Sequence, residues 1–143
     1  MKRKNFPKID SFDYWMGLAF VMGAKSPSRN AALIVENSLL VSCGIETPPP
    51  VSDAQNVLIP AEVIAILNCK KDLSNASLYL TRTPDYNVAM MIIAKIGLRK
   101  VIYFPTEPLD SKVAELFSGF FGEIDEYKGN LNWIYDYLNS LDL

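Results

Sequence analysis

Histidine is absent from the 143-residue chain, and that absence excludes more chemistry than any motif supplies. No Ser-His-Asp triad can be assembled, no imidazole can carry a proton near neutral pH, and nearly every familiar zinc site loses a ligand type. Cysteine is scarce too. Cys43 and Cys69 are the only two, they do not form a Cys-x-x-Cys, and unpatterned cysteines of this kind are more often small buried residues than a disulfide or a metal pair. No apolar run reaches the roughly 18 residues of a membrane span. The basic start Met1-Lys2-Arg3-Lys4 is not followed by an apolar signal-peptide core before Asp10 and Asp13, so a cytoplasmic protein is expected. Neither charge sign dominates: 14 Lys and Arg stand against 16 Asp and Glu, with net charge −2 and pI ≈ 5.1. Such a balance does not favour nucleic acid. The one dense basic cluster, Lys2, Arg3, Lys4 and Lys8, reads as an N-terminal arm over residues 1–10.

What is present describes an ordered domain. Half the residues are hydrophobic and 21% are charged, and the length suits a single core spanning 1–143. Asp10 or Ser11 caps a first helix that places Phe12, Trp15, Met16, Ala19, Phe20 and Gly23 on one face. Gly23 and Lys25-Ser26-Pro27-Ser28 end it. A hairpin follows, with strands 31–35 and 39–43 about a turn at Glu36-Asn37-Ser38. Thr47-Pro48-Pro49-Pro50-Val51-Ser52-Asp53 takes an extended path, as a rigid loop or as a partner-docking ligand. Pro60 suits the first position of a helix running to about Lys70, with Val63, Ile66 and Leu67 inward. Then come a strand at 77–81, a helix at 85–96 opened by Pro84 and closed by Gly97, and an apolar strand at 99–104. Asp110-Ser111 caps a helix at 112–119, and residues 123–127 form a last strand. Asn130 caps a terminal helix within 128–143, whose Leu131, Ile134, Tyr135, Leu138 and Leu141 make one stripe. Strands alternating with helices after an initial hairpin predict a three-layer α/β/α sandwich with a mixed five-stranded sheet.

Two helix openings carry the chemistry: Leu58-Ile59-Pro60-Ala61-Glu62-Val63-Ile64-Ala65-Ile66-Leu67-Asn68, and Leu78-Tyr79-Leu80-Thr81-Arg82-Thr83-Pro84-Asp85-Tyr86-Asn87-Val88-Ala89. They resemble the two halves of the zinc site of the cytidine and deoxycytidylate deaminase superfamily, which carries His-x-Glu at the first and Pro-Cys-x-x-Cys at the second. Residues 12–26 resemble its aromatic-rich first helix, and Arg29-Asn30-Ala31-Ala32-Leu33-Ile34-Val35 its first strand. Ser42-Cys43-Gly44-Ile45-Glu46-Thr47-Pro48 resembles its Ser-x-Gly-Tyr-Asn-Gly-x-Pro loop. Gly97 and Tyr103 fall in step with the same pattern.

The resemblance implies a cytidine-deaminase-like fold and sets Glu62 at the general acid/base position. Pro60, Asp85 and Val88 stand where the histidine and the two cysteines would be. Glu46 stands for the loop asparagine that meets the nucleoside sugar, and Arg29 lies near the phosphate-binding region. Deamination in that family uses a zinc-activated hydroxide held by three protein ligands. Pro60 and Val88 have no ligand atom, so neither a metal nor another cofactor is expected. Glu62 and Asp85 also have an ordinary reason to sit in the first turn of a helix, where free N–H groups favour an anion. The expectation is a catalytically silent deaminase-like protein that acts by binding, as a homo-oligomer or in assembly with another protein, a state that would suit a virus-encoded product. The C-terminal stripe with Trp133 and Tyr137 offers a contact surface, or else packs on the domain's own sheet. The alternative is a nucleotide-binding module in which Arg29 holds phosphate while Glu62 or Asp85 reads a base edge. An active enzyme with zinc-independent chemistry ranks third.

Overall fold

A computed structural model describes residues 7–48, 58–69, 75–96, 98, 100–120, 122–134 and 136. Helix α1 (Phe12–Gly23) starts at Ser11, whose hydroxyl accepts the Tyr14 N–H at 3.2 Å. This supplies one of the partners that the first turn of a helix lacks. Trp15, Met16 and Ala19 are buried. Phe12, expected inward with them, is 49% exposed; it lies edge-on to Tyr79 with the Lys100 ammonium 5.3 Å from its ring centre.

Strands β1 (Ala31–Glu36) and β2 (Leu39–Ile45) form the hairpin. Its two turn residues, Asn37 and Ser38, both have positive φ, 52° and 64°, as a turn matched to the strand twist requires. Glycine is absent there. Ser38 is instead tied down by its hydroxyl, which donates to Asp10 Oδ2 at 2.6 Å, while the Trp15 indole N–H donates to Asp10 Oδ1 at 2.8 Å. Asp10 therefore belongs to the folded body and not to a free arm.

Helix α2 (Ala61–Leu67), strand β3 (Ser77–Leu80), helix α3 (Tyr86–Ile96), strand β4 (Lys100–Tyr103), helix α4 (Ser111–Gly119) and strand β5 (Glu123–Glu126) complete the order. The five strands make one sheet, β2-β1-β3-β4-β5. β1 runs antiparallel to both neighbours, and β3, β4 and β5 run parallel.

Side-chain alternation along the strands separates two cores. Leu33 and Val35 of β1, Tyr79 of β3 and Ile102 of β4 pack under α1. Ala32 and Ile34, Leu78 and Leu80, and Val101 and Tyr103 pack under α2, α3 and α4. These central strands are covered on both faces, which is why their sequences are almost continuously apolar. The three-layer α/β sandwich expected from the element order is present.

Several details differ from expectation. Pro60 is the residue before the first turn of α2, in extended conformation, and not its first helical residue. Leu67, expected inward, is 67% exposed, because Ala61, Glu62, Ala65 and Ile66 form the inward face instead. Near the C-terminus Asn130 Oδ1 accepts the Asn132 N–H at 2.7 Å, and residues 132–134 and 136 are helical; residues 128–131 precede the helix. Of the two alternatives for Trp133, packing within its own domain is the one observed, against α1. Trp133 is buried, donates its indole N–H to the Asp13 carbonyl at 3.1 Å, and lies against Gly17 of α1. Tyr135, Tyr137, Leu138 and Leu141, the proline run from Pro49 onward, Lys70 and Gly97 lie outside the described residues. Among the described residues no helix is long and apolar enough to cross a membrane.

Candidate functional site

Three chain segments end at one place. β2 stops at Ile45 and delivers Glu46, α2 opens with Glu62 in its first turn, and β3 stops at Leu80 and leads to Arg82. The approach of α2 to β2 depends on Gly44. A β-carbon there would stand 2.2 Å from the Ala61 carbonyl oxygen and 2.6 Å from the Ala65 nitrogen. Ser42, two residues earlier, donates its hydroxyl to the Ala65 carbonyl at 2.7 Å. Thr81 fixes the other side, where its Oγ1 accepts the Ala31 N–H at 3.0 Å. Thr83 ties the same loop to the one after β4, accepting from the Thr106 and Glu107 N–H groups and donating to the Glu107 carbonyl.

Within this frame a single guanidinium nitrogen, Arg82 Nη2, lies 3.0 Å from Glu46 Oε1 and 3.0 Å from Glu62 Oε1. The carboxylates are buried, Glu46 at 4% exposure and Glu62 at 1%. Glu46 is held further by the Ser28 hydroxyl and by the Asn30 amide at 3.1 Å, both donating to Oε2. Its carbonyl accepts the Ser26 hydroxyl at 2.6 Å. Burial works against the charge on Arg82, but the nearby charges of Glu62, Glu46 and Asp85 outweigh it and raise the pKa of the guanidinium. The arrangement can hold charge and fix loops; a positive charge already sits on the carboxylate expected to move protons.

The other expected site residues lie as follows. Asp85 is exposed and its Oδ1 accepts the Val88 N–H at 2.8 Å, so it caps α3. Its charge also reaches Arg82. Val88 is buried in the core beneath α3. Pro60 is half-buried and makes no side-chain hydrogen bond at the head of α2. Arg29 is exposed, has a left-handed backbone with φ 60°, and forms no ion pair with another described residue. The structure thus joins Glu46 to Glu62, keeps Asp85 within electrostatic reach, and turns Arg29 outward. Arg82, Ser28 and Asn30 were not singled out in the sequence. Arg82 occupies an undefined position of the Thr-x-x-Pro segment, and the only hint of its role is that Glu46 and Glu62 fall inside otherwise apolar or small-residue stretches and need a cation.

No protein-family model and no curated protein matches the chain. Solved structures do. The chain is similar to the dCMP deaminase of cyanophage S-TIM5, with TM-score 0.65 and 18% identity over 79% of this chain and 94% of that one; that enzyme is also known in complex with dCMP and dUMP. It is similar to a diaminohydroxyphosphoribosylaminopyrimidine deaminase/5-amino-6-(5-phosphoribosylamino)uracil reductase of Thermotoga maritima, with TM-score 0.62 and 20% identity over 80% of this chain and 35% of that one. A tRNA deaminase acting at the wobble position matches with TM-score 0.57 and 18% identity over 86% of this chain and 97% of that one. The chain has the α/β fold of these deaminases, and at such identities the likeness is one of fold.

That fold implies a zinc ion, and the donors can be tested against it. A catalytic zinc takes three protein ligands from His, Cys, Asp or Glu. Here Pro60 and Val88 present hydrocarbon, Asp85 accepts a backbone N–H, and Glu62 accepts from Arg82. Among the described residues no three His, Cys, Asp or Glu side chains converge on a common point. The side chains at these positions do not fit zinc.

Proposed function

We propose that this deaminase-fold protein acts by binding and not by deamination, as a protein-interaction or regulatory subunit that assembles with itself or with another protein. The observation that supports this most is the engagement of Glu62. Deaminating a cytosine requires an activated hydroxide and a carboxylate free to carry protons. Glu62 is buried against a permanent cation, and among the described residues no ligand set converges that would generate the hydroxide. A carboxylate so placed has a structural task, and the loops it joins form a fixed surface.

A second reading, a nucleotide-binding module, draws on Arg29, which is exposed and makes no ion pair with another described residue. It would offer that cation to a phosphate. Glu46 and Glu62 face inward onto Arg82 in this structure, which leaves fewer groups to read a base edge.

Protein produced with supplementary zinc is to be incubated with cytidine, deoxycytidine and their monophosphates, with ammonia release followed. No release is expected. Turnover that disappears in Glu62→Gln would overturn the proposal. Melting in the presence of increasing dCMP or dUMP separates the two binding readings, because a site-specific ligand raises the melting temperature by mass action. A concentration-dependent rise that Arg29→Ala abolishes would favour the nucleotide module.

A further inference from the structure

We infer that Arg82 is the resident cation of this site: a tethered guanidinium neutralises the two buried carboxylates Glu46 and Glu62, so that the site holds its charge balance without a metal ion. Two carboxylates taken almost fully out of water need a cation close by, or they are strongly destabilising. Arg82 Nη2 meets both at 3.0 Å, and no other described cation pairs with either. The second carboxylate is built into the site as firmly as the first. Ser28 and Asn30 hold the far oxygen of Glu46, so its near oxygen faces Arg82 in a fixed position. Among the described residues no buried side-chain nitrogen or oxygen lacks a partner, so the hydrogen bonding here is complete without a metal.

The apolar residues at the ligand positions and the acid at position 46 then belong to one change of design. With hydrocarbon at positions 60 and 88 no metal is gripped, and Glu46 gives the Arg82 guanidinium a second anchor beside Glu62. One guanidinium clamps the end of β2, the head of α2 and the loop after β3, and the shape of that surface becomes independent of zinc supply. The inference holds for a binder or an enzyme alike and does not rest on the proposed function.

Thermal unfolding of Arg82→Met, and of the same change combined with Glu46→Gln and Glu62→Gln, tests it. Arg82→Met is expected to lower the melting temperature by about 10 °C or more, as for a buried ion pair broken on one side. Neutralising both carboxylates in that background is expected to recover at least half of the loss, because the penalty is uncompensated charge and not lost packing. Zinc or a chelator should leave melting of the unmodified protein unchanged. A triple variant no more stable than Arg82→Met would overturn the inference, as would a zinc-dependent rise in the melting of the unmodified protein. If Arg82→Met does not fold, a folded triple variant supports the inference and an unfolded one overturns it.

Discussion

Substituting Gly44 by alanine probes the contact that brings Glu62 to its partner. The added β-carbon would stand 2.2 Å from the Ala61 carbonyl oxygen, 2.6 Å from the Ala65 nitrogen and 3.0 Å from Ile64 Cβ. The first two are backbone atoms of α2, so no rotamer change relieves them and the helix itself must retreat from β2. Overpacking of this kind costs about 1–3 kcal/mol, and rigid obstacles place Gly44→Ala at the upper end. Retreat of α2 also stretches the 3.0 Å contact between Glu62 and Arg82, and weakening a charged hydrogen bond adds roughly 1.5 kcal/mol or more. A total near 4 kcal/mol is a large share of the stability of a small domain, which is about 5–15 kcal/mol. Urea unfolding is the assay, with Gly119→Ala as control. A β-carbon on Gly119 meets nothing within 4 Å, so that change should be neutral or stabilising by up to about 1 kcal/mol. Equal midpoints for Gly44→Ala and Gly119→Ala would refute the close-approach argument.

Burial, with a contribution from the Asp10 charge, pushes the Tyr79 phenol from 10.0 up to about 12, and Tyr103 and Tyr127 are raised as well. At any pH below 10 the folded and unfolded chains both keep the Tyr79 proton; between about 10 and 12 only the folded chain does, so stability should fall as pH rises through that window. Alkaline titration of tyrosinate absorbance should show a class of phenols ionising late, and a single transition near the ordinary value would contradict it. Asp85→Ala should cost about 1 kcal/mol, the usual worth of a helix cap, measurable by urea unfolding and little changed by added zinc. A much larger loss that depends on zinc would make Asp85 a ligand instead.

Much of the architecture was legible because its signals are local. Ser11, Asp110 and Asn130 cap where short polar side chains precede apolar periodicity, and β3 and β4 are apolar because helices cover both faces. Leu67 was misplaced for a physical reason: periodicity treats a carboxylate as outward, whereas Glu62 is buried on its ion pair, and the helix is rotated accordingly. The hairpin turn carried no glycine, and its left-handed Ser38 is supported by Asp10 from a distant segment. Trp133 could not be assigned from an amphipathic stripe, which looks the same whether it faces its own domain or a partner. The convergence of Glu46 and Glu62 on Arg82 was the least legible feature, since it joins segments far apart in the chain that only the sheet order brings together.

The most direct measurement is a crystal structure of protein produced and crystallised with zinc, with anomalous diffraction recorded at the zinc edge. Arg82 is expected to bridge Glu46 and Glu62 with no anomalous peak within bonding distance of Glu62 or Asp85. A zinc peak coordinated there, with Glu62 turned away from Arg82, would contradict the claim that Arg82 is the cation of this site.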